Sequence, residues 1–399
     1  MTPFHRSNTI PPRWLLVLVT ISGTLAMHMF VPALPDAARS LSSNMGAMEM
    51  AVSIYVVGLA VGQLIYGPLS DAFGRRPMVL AGLGLYAAGG LAASLAPNLH
   101  VLLFARLVQA LGGGAGLSLG RAMVRDTTRA DRAVRELALL NLMLLLSPGL
   151  APVVGGVISS AAGWRSIFMV LTAVGVVSMG FALHALPETG NPSGRFGVRT
   201  LVADYRTLLA SPRFVGFALG GGCATTSVYA FLTVAPFVFV DELHQPVGMV
   251  GIYSGLMMVG MAAGNTLTSR LVTRVRSETL LRIGNTLSLA SAIVLLQIVL
   301  LHHMNVASIL GIMMMFTCGA GMVSPAALGK AVNVRPQLIG SAAGLYGFSQ
   351  MAVGAICTAI VATGSNPAIA ALVVMVSATA IAQVAITVAL RRDRDGHRP

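Results

Sequence analysis

Two ionisable residues, His28 and Arg106, stand inside long apolar stretches of the chain. A cation in hydrocarbon costs ~2.5–3.5 kcal/mol on insertion scales, so Arg106 must face a protein interior and find a partner there. An imidazole has an ordinary pKa of ~6.5 and can exchange a proton near neutral pH. His28 therefore reads either as a proton carrier or as a neutral hydrogen-bonding group in a cavity. Arg106 reads either as a charge that tunes a nearby proton site or as a group bonded between helices. Glu49 opens the next apolar stretch and is a third candidate for proton transfer, at its mouth. A different chemistry is offered by Gly67-Pro68-Leu69-Ser70-Asp71-Ala72-Phe73-Gly74-Arg75-Arg76-Pro77. This run reads as a tight turn between helices. Gly74 permits positive φ. Pro77 suits the first turn of the following helix. Asp71 can accept from helix N-terminal amides or from a neighbouring Arg.

Covalent chemistry has no such support. The sequence contains no H-E-x-x-H and no G-x-x-x-x-G-K-[ST]. Cys223, Cys318 and Cys357 lie in apolar segments without metal-ligand spacing and read as packing residues. No enzyme activity, cofactor or metal site is expected.

The elements that must position these residues follow from composition. Of 399 residues, 55% are hydrophobic and 10% charged, against about 25% charged in soluble domains. Mean hydropathy is +0.80. These values exclude a soluble enzyme, a nucleic-acid binder and a disordered chain, and predict an all-α protein of many membrane spans. Twelve apolar runs are long enough: about 14–34, 50–69, 78–96, 101–120, 137–160, 165–186, 213–240, 249–268, 279–301, 306–327, 338–362 and 367–390. With both termini in the cytoplasm, 23 of the 26 Lys and Arg fall in cytoplasmic segments, and only Arg39 and Arg165 on the other side. The net charge of +13 thus records topology rather than a nucleic-acid surface. The first run is too long for a signal peptide and reads as a retained helix.

A turn-rich hydrophilic stretch divides six spans from six. The expected organisation is an N-terminal bundle over 1–190, a cytoplasmic linker over 191–212 and a C-terminal bundle over 213–399. A faint echo relates Gly114-Ala115-Gly116…Gly120-Arg121-Ala122 to Gly319-Ala320-Gly321…Gly329-Lys330-Ala331. Small residues at such helix contacts permit close packing.

The Gly67–Pro77 run has the G-x-L-x-D-x-x-G-R-R form of the major facilitator superfamily signature loop, and the chain resembles that family along most of its length. Arg106-Leu107-Val108-Gln109-Ala110-Leu111-Gly112 is similar to the family's R-x-x-Q-x-x-G span. Ser147-Pro148-Gly149-Leu150-Ala151-Pro152-Val153-Val154-Gly155-Gly156 resembles the antiporter motif of its drug-exporting branch. Val31-Pro32-Ala33-Leu34-Pro35, together with the Leu150–Gly156 pattern, is most like the Bcr/CflA-type multidrug exporters.

This resemblance implies the major facilitator fold, twelve transmembrane helices in two six-helix bundles. It implies proton-coupled efflux of small amphipathic drugs or metabolites by alternating access. The alternatives are an importer or metabolite exchanger of the same family, and a non-transporting membrane sensor. Partners would be a small-molecule substrate, protons and membrane lipid, with the protein a monomer and no nucleic acid involved. The resemblance makes Gly67, Asp71, Gly74, Arg75, Arg76 and Arg121 a cytoplasmic gate. It makes His28, Arg106 and Glu49 the proton-coupling set. Pro148, Gly149, Pro152, Gly155 and Gly156 form the antiporter motif. Tyr55, Gln109, Asn141, Tyr229, Phe231, Tyr346 and Gln350 become candidates for the substrate cavity. One departure is notable: the subfamily usually has Asp where this chain has His28. With no Asp or Glu deep in the cavity, neutral or weakly charged lipophilic substrates are expected.

Overall fold

The computed structural model describes residues 11–395 apart from 44, 129, 193, 195, 196 and 363–365. Glu49 and Gly149 lie within helices but outside the described side chains. The described residues form helices and no strand. The first half contains α1 (Arg13–Met29), α2 (Leu34–Ser40), α3 (Met45–Phe73), α4 (Arg75–Ser94), α5 (Leu99–Thr127), α6 (Ala130–Leu144), α7 (Leu146–Ala162) and α8 (Trp164–Ala185). A short helix, α9 (Val198–Leu209), occupies the linker. The second half contains α10 (Pro212–Thr226), α11 (Val228–Pro236), α12 (Val247–Leu271), α13 (Ser277–Leu300), α14 (Val306–Val332), α15 (Ile339–Ala362) and α16 (Pro367–Asp395).

Among the described residues, 11 segments are long and apolar enough to cross a membrane. The remaining expected span, 137–160, is interrupted at Leu145, which separates α6 from α7. Pro148 explains the break. It has no N–H for the carbonyl of Leu144, and it fits without penalty in the first turn of the new helix α7. Prolines also shape the first span, where Pro32 and Pro35 place a 3₁₀ turn, Val31–Ala33, between α1 and α2.

The chain forms two compact units. The first comprises Met1–Thr128, Met143–Tyr205 and Arg335–Phe348; the second comprises Arg129–Leu142, Arg206–Val334 and Ser349–Pro399. The start of α15 therefore belongs with the first unit, and most of α6 with the second.

In the first unit α5 is the hub, packed against α1, α3 and α4. Its glycine run makes this possible. A Cβ at Gly112 would overlap the Tyr86 amide, and one at Gly116 would overlap the Val19 carbonyl. In the second unit α14 is the hub, against α10, α12 and α13. A Cβ at Gly319 would overlap the Gly284 carbonyl, and one at Gly321 that of Met261. The sequence echo is thus the same packing solution used twice: small residues let helix backbones approach within contact distance.

Gly116→Ala is expected to push α1 off α5 and cost roughly 1–3 kcal/mol. At Gly180 nothing lies within 4 Å of an added Cβ, so Gly180→Ala is expected to leave the melting temperature unchanged or slightly raised. Thermal unfolding of the two variants in detergent checks this; equal behaviour contradicts the packing assignment.

Candidate functional site

The signature run starts within the last turns of α3 and ends in the first turn of α4. Gly74 has φ 100°, which L side chains rarely adopt. This turns the chain directly into α4. The first two amides of α4 would otherwise lack partners. Arg75 N donates to Glu188 Oε1 at 2.8 Å and Arg76 N to Glu188 Oε2 at 3.1 Å. The Glu188 carboxylate, just beyond α8, therefore caps α4 and complements its positive end. A Cβ on Gly74 would lie 2.5 Å from Glu188 Oε2, so the position is restricted twice over.

Asp71 lies in the last turn of α3 and accepts four hydrogen bonds. Its Oδ1 accepts from Arg75 Nη1 at 2.7 Å and from Gly340 N at 3.0 Å. Its Oδ2 accepts from Ser341 N and Ser341 Oγ, both at 2.8 Å. Gly340 and Ser341 belong to the first turn of α15, so the carboxylate sits on that helix's N-terminus. Backbone contact between α3 and α15 brings them into reach: a Cβ on Gly67 would be 2.5 Å from the Gly340 carbonyl.

Arg75 is 3% exposed. Its Nε donates to Asp126 Oδ2 at 2.8 Å and its Nη1 also to Ser70 Oγ at 2.6 Å. The guanidinium thus ties the end of α3 to the last turn of α5. Arg76 instead donates Nη2 to the Leu183 carbonyl at 2.6 Å. The cluster borders a cavity of ≈ 640 Å³ whose lining includes Asp71, Arg75, Arg125, Asp126, Asp204 and Gln337. Burial, and then the neighbouring Asp71 charge, push the Asp204 carboxyl above its usual range.

A second polar centre lies in the core of the same unit. Arg106 is 0% exposed. Its Nη1 donates to the Ala26 carbonyl at 3.1 Å and to Gln109 Oε1 at 2.9 Å, and its Nε to the Ala51 carbonyl at 3.4 Å. The guanidinium carbon stands 3.9 Å from the Tyr55 ring centroid and 5.6 Å from those of Phe30 and Phe168. Among the described residues no carboxylate pairs with it, and Nη2 has no acceptor. Three aromatic faces and two carbonyls stabilise the charge instead. Tyr55 is fixed in turn, because its hydroxyl donates to the Gly23 carbonyl at 2.7 Å. His28 is half-buried in the last turn of α1, and its Nδ1–H donates to the Thr24 carbonyl at 2.9 Å. That bond fixes the tautomer and leaves Nε2 to receive a proton.

The remaining candidates are dispersed. Arg121 stands apart from the Asp71 network, against α15, where a Cβ on Gly347 would be 3.2 Å from its Nη1. Tyr346 is buried in the first unit; Phe231 is buried in the second, edge-on to Phe239 at 6.5 Å between centroids. Tyr229 is 44% exposed. Asn141 Nδ2 donates to Ser324 Oγ and Gln350 Nε2 to Thr225 Oγ1, each at 3.1 Å. Pro148, Pro152, Gly155 and Gly156 are all on α7. A Cβ on Gly155 would overlap the Met29 carbonyl, whereas one on Gly156 would have only Pro32 within 4 Å, at 3.9 Å. Gly340 and Ser341 were not singled out in the sequence, because main-chain donors leave no residue signature.

Asp71→Asn keeps the shape but replaces a charged acceptor by a neutral one facing Arg75 and the α15 amides. A loss on the order of 1.5–3 kcal/mol is expected, read as a lower melting temperature. The double variant Asp71→Asn/Ser341→Ala should lose less than the sum of the singles. Strict additivity contradicts a direct bond.

The match of the major facilitator superfamily model spans residues 16–359. Multidrug resistance protein D of Escherichia coli is 30% identical over 338 residues, covering 84% of each chain. A bicyclomycin resistance protein homolog of Haemophilus influenzae is 27% identical over 350 residues, covering 87% of this chain and 88% of its own. Among solved structures, the Escherichia coli fucose:proton symporter superposes with a TM-score of 0.76 at 15% identity, covering 96% of this chain and 99% of its own. At that identity the likeness concerns the fold. The chain belongs to the major facilitator superfamily.

Proposed function

We propose that the chain is a proton-coupled exporter of small amphipathic compounds in the bacterial inner membrane, working as a monomer by alternating access. The observation that carries this reading is the Asp71 carboxylate on the first-turn amides of α15. It joins residues 71 and 341, one from each half of the sequence, through bonds that can break without covalent change. Such a contact suits a gate. The named relatives, one for multidrug and one for bicyclomycin resistance, favour export over import. The Arg-rich loops support a cytoplasmic position for this gate.

On this reading Asp71, Arg75 and Asp126 hold the inner end closed while substrate leaves outward. Arg106 supplies a fixed positive charge beside α1, where His28 Nε2 can take a proton. No bond in the substrate is made or broken. The mid-span interior has a cation and, among the described side chains, no carboxylate opposite it. This composition suits neutral or weakly charged lipophilic substrates better than dications.

Proteoliposomes loaded acidic inside and exposed to bicyclomycin provide the test. Antiport moves the compound inward and protons outward, so lumenal pH should rise on addition. Arg106→Lys should lose most of that response, because an ammonium lacks the planar fork and stacking face. His28→Ala should abolish the pH response while the protein still inserts. Substrate flux without a pH change points to facilitated exchange. Full responses in both variants remove these residues from coupling.

A further inference from the structure

Pro68 lies inside α3, within the signature loop. A proline has no N–H, so the carbonyl four residues earlier loses its helical donor. That carbonyl is Leu64. The Tyr205 hydroxyl, from α9 of the central linker, donates to it. Nearer the end of α3 the same pattern recurs. The helix stops at Gly74 and Arg76 N is taken by Glu188, which leaves the Ala72 carbonyl without its i+4 donor. Gly194 N, also from the linker, donates to it at 3.0 Å. Gly194 has φ 67°, a conformation suited to glycine. Two orphan acceptors on one helix, on either side of Asp71, are thus both satisfied from one segment. Leu64, Ala72, Gly194 and Tyr205 all belong to the first unit.

We propose that Tyr205 is a positioning residue of the gate: it replaces the donor that Pro68 removes and straps the linker to the end of α3 that carries Asp71. The proposal rests on reading the Asp71–α15 contact as a gate. The linker is then part of the gating apparatus rather than a passive connection between halves. Pro68 weakens the helix where it must move, and Tyr205 restores order while the gate is closed. Asp204, the adjacent residue, lines the cavity that borders Asp71, so α9 is seated against the cluster on its charged side as well.

The compensating change is Pro68→Ala, which returns an N–H to the Leu64 carbonyl. Amide hydrogen exchange of the full-length protein in nanodiscs is measured over segments 64–73 and 338–345. Tyr205→Phe should accelerate exchange about 5-fold, the equivalent of one lost hydrogen bond of about 1 kcal/mol. In the Pro68→Ala background Tyr205→Phe should change exchange less than 2-fold by the same conversion. Bicyclomycin efflux should fall in Tyr205→Phe and recover in the double variant. Equal acceleration in both backgrounds would show that Tyr205 acts by packing alone and overturns the proposal. Unchanged exchange in Tyr205→Phe also overturns it, even if Pro68→Ala fails to fold. The exchange readout needs no substrate. Altered exchange with wild-type efflux would therefore fault the gate reading while leaving the Tyr205–Leu64 strap intact, and altered efflux with unchanged exchange would fault the strap.

Discussion

A carboxylate withdrawn from water must have its acceptor sites filled, and the Asp71 side chain is only 12% exposed. Four donors fill them: Arg75 Nη1, Gly340 N, Ser341 N and Ser341 Oγ. Much of the surrounding structure follows from that requirement. α3 must end close to Asp71, which needs Gly74 at positive φ. α4 must start at once, which needs Glu188 for its orphan amides. Arg75 must be held in place, which needs Ser70 and Asp126. α15 must begin with small residues, so that its backbone reaches α3 at Gly67. Each bond is charge-assisted and strong. The cluster borders a cavity lined by Asp71, Arg75 and Asp126.

Arg106 solves the opposite problem, a cation with no carboxylate beside it. Burying a charge without a counter-charge is strongly unfavourable unless polar and polarisable groups surround it. Here the carbonyls of Ala26 and Ala51, the Gln109 amide and the faces of Tyr55, Phe30 and Phe168 do so. The result links α1, α3, α5 and α8 around one side chain. Deleting Arg106 would therefore disturb this packing, and a conservative change of head group is more informative than removal.

The many-span helical architecture was legible because hydrocarbon demands long apolar runs, and 11 segments among the described residues are helices long and apolar enough to cross a membrane. The interruption at Leu145 departs from the continuous run expected over 137–160, and Pro148 is its physical reason. The acceptor side of the Asp71 contact was marked by Asp71, Gly74 and Arg75 at fixed spacing. Its donor side was not: Gly340 and Ser341 act mainly through main-chain amides, which any residue carries. Tyr205 was hidden for a related reason. Its partner is a carbonyl made available by a proline four residues away, and nothing in the linker points to it. The cavity candidates were the least legible. Tyr55 and Gln109 are packed in the core around Arg106, and Tyr346 is buried in the first unit, because small residues cover so much of α5 and α15 that their faces are indistinct in sequence.

The contact between Asp71 and α15 carries the proposed gate, and a distance across it tests that proposal directly. Spin labels at Phe73 and Gln337, both exposed, report the separation across it by double electron–electron resonance. The wild-type protein in nanodiscs should show a short and a long population whose ratio changes with pH, and Asp71→Asn should shift it toward the long one. A single distance, unchanged by pH and by Asp71→Asn, would contradict the assignment of this contact as the gate.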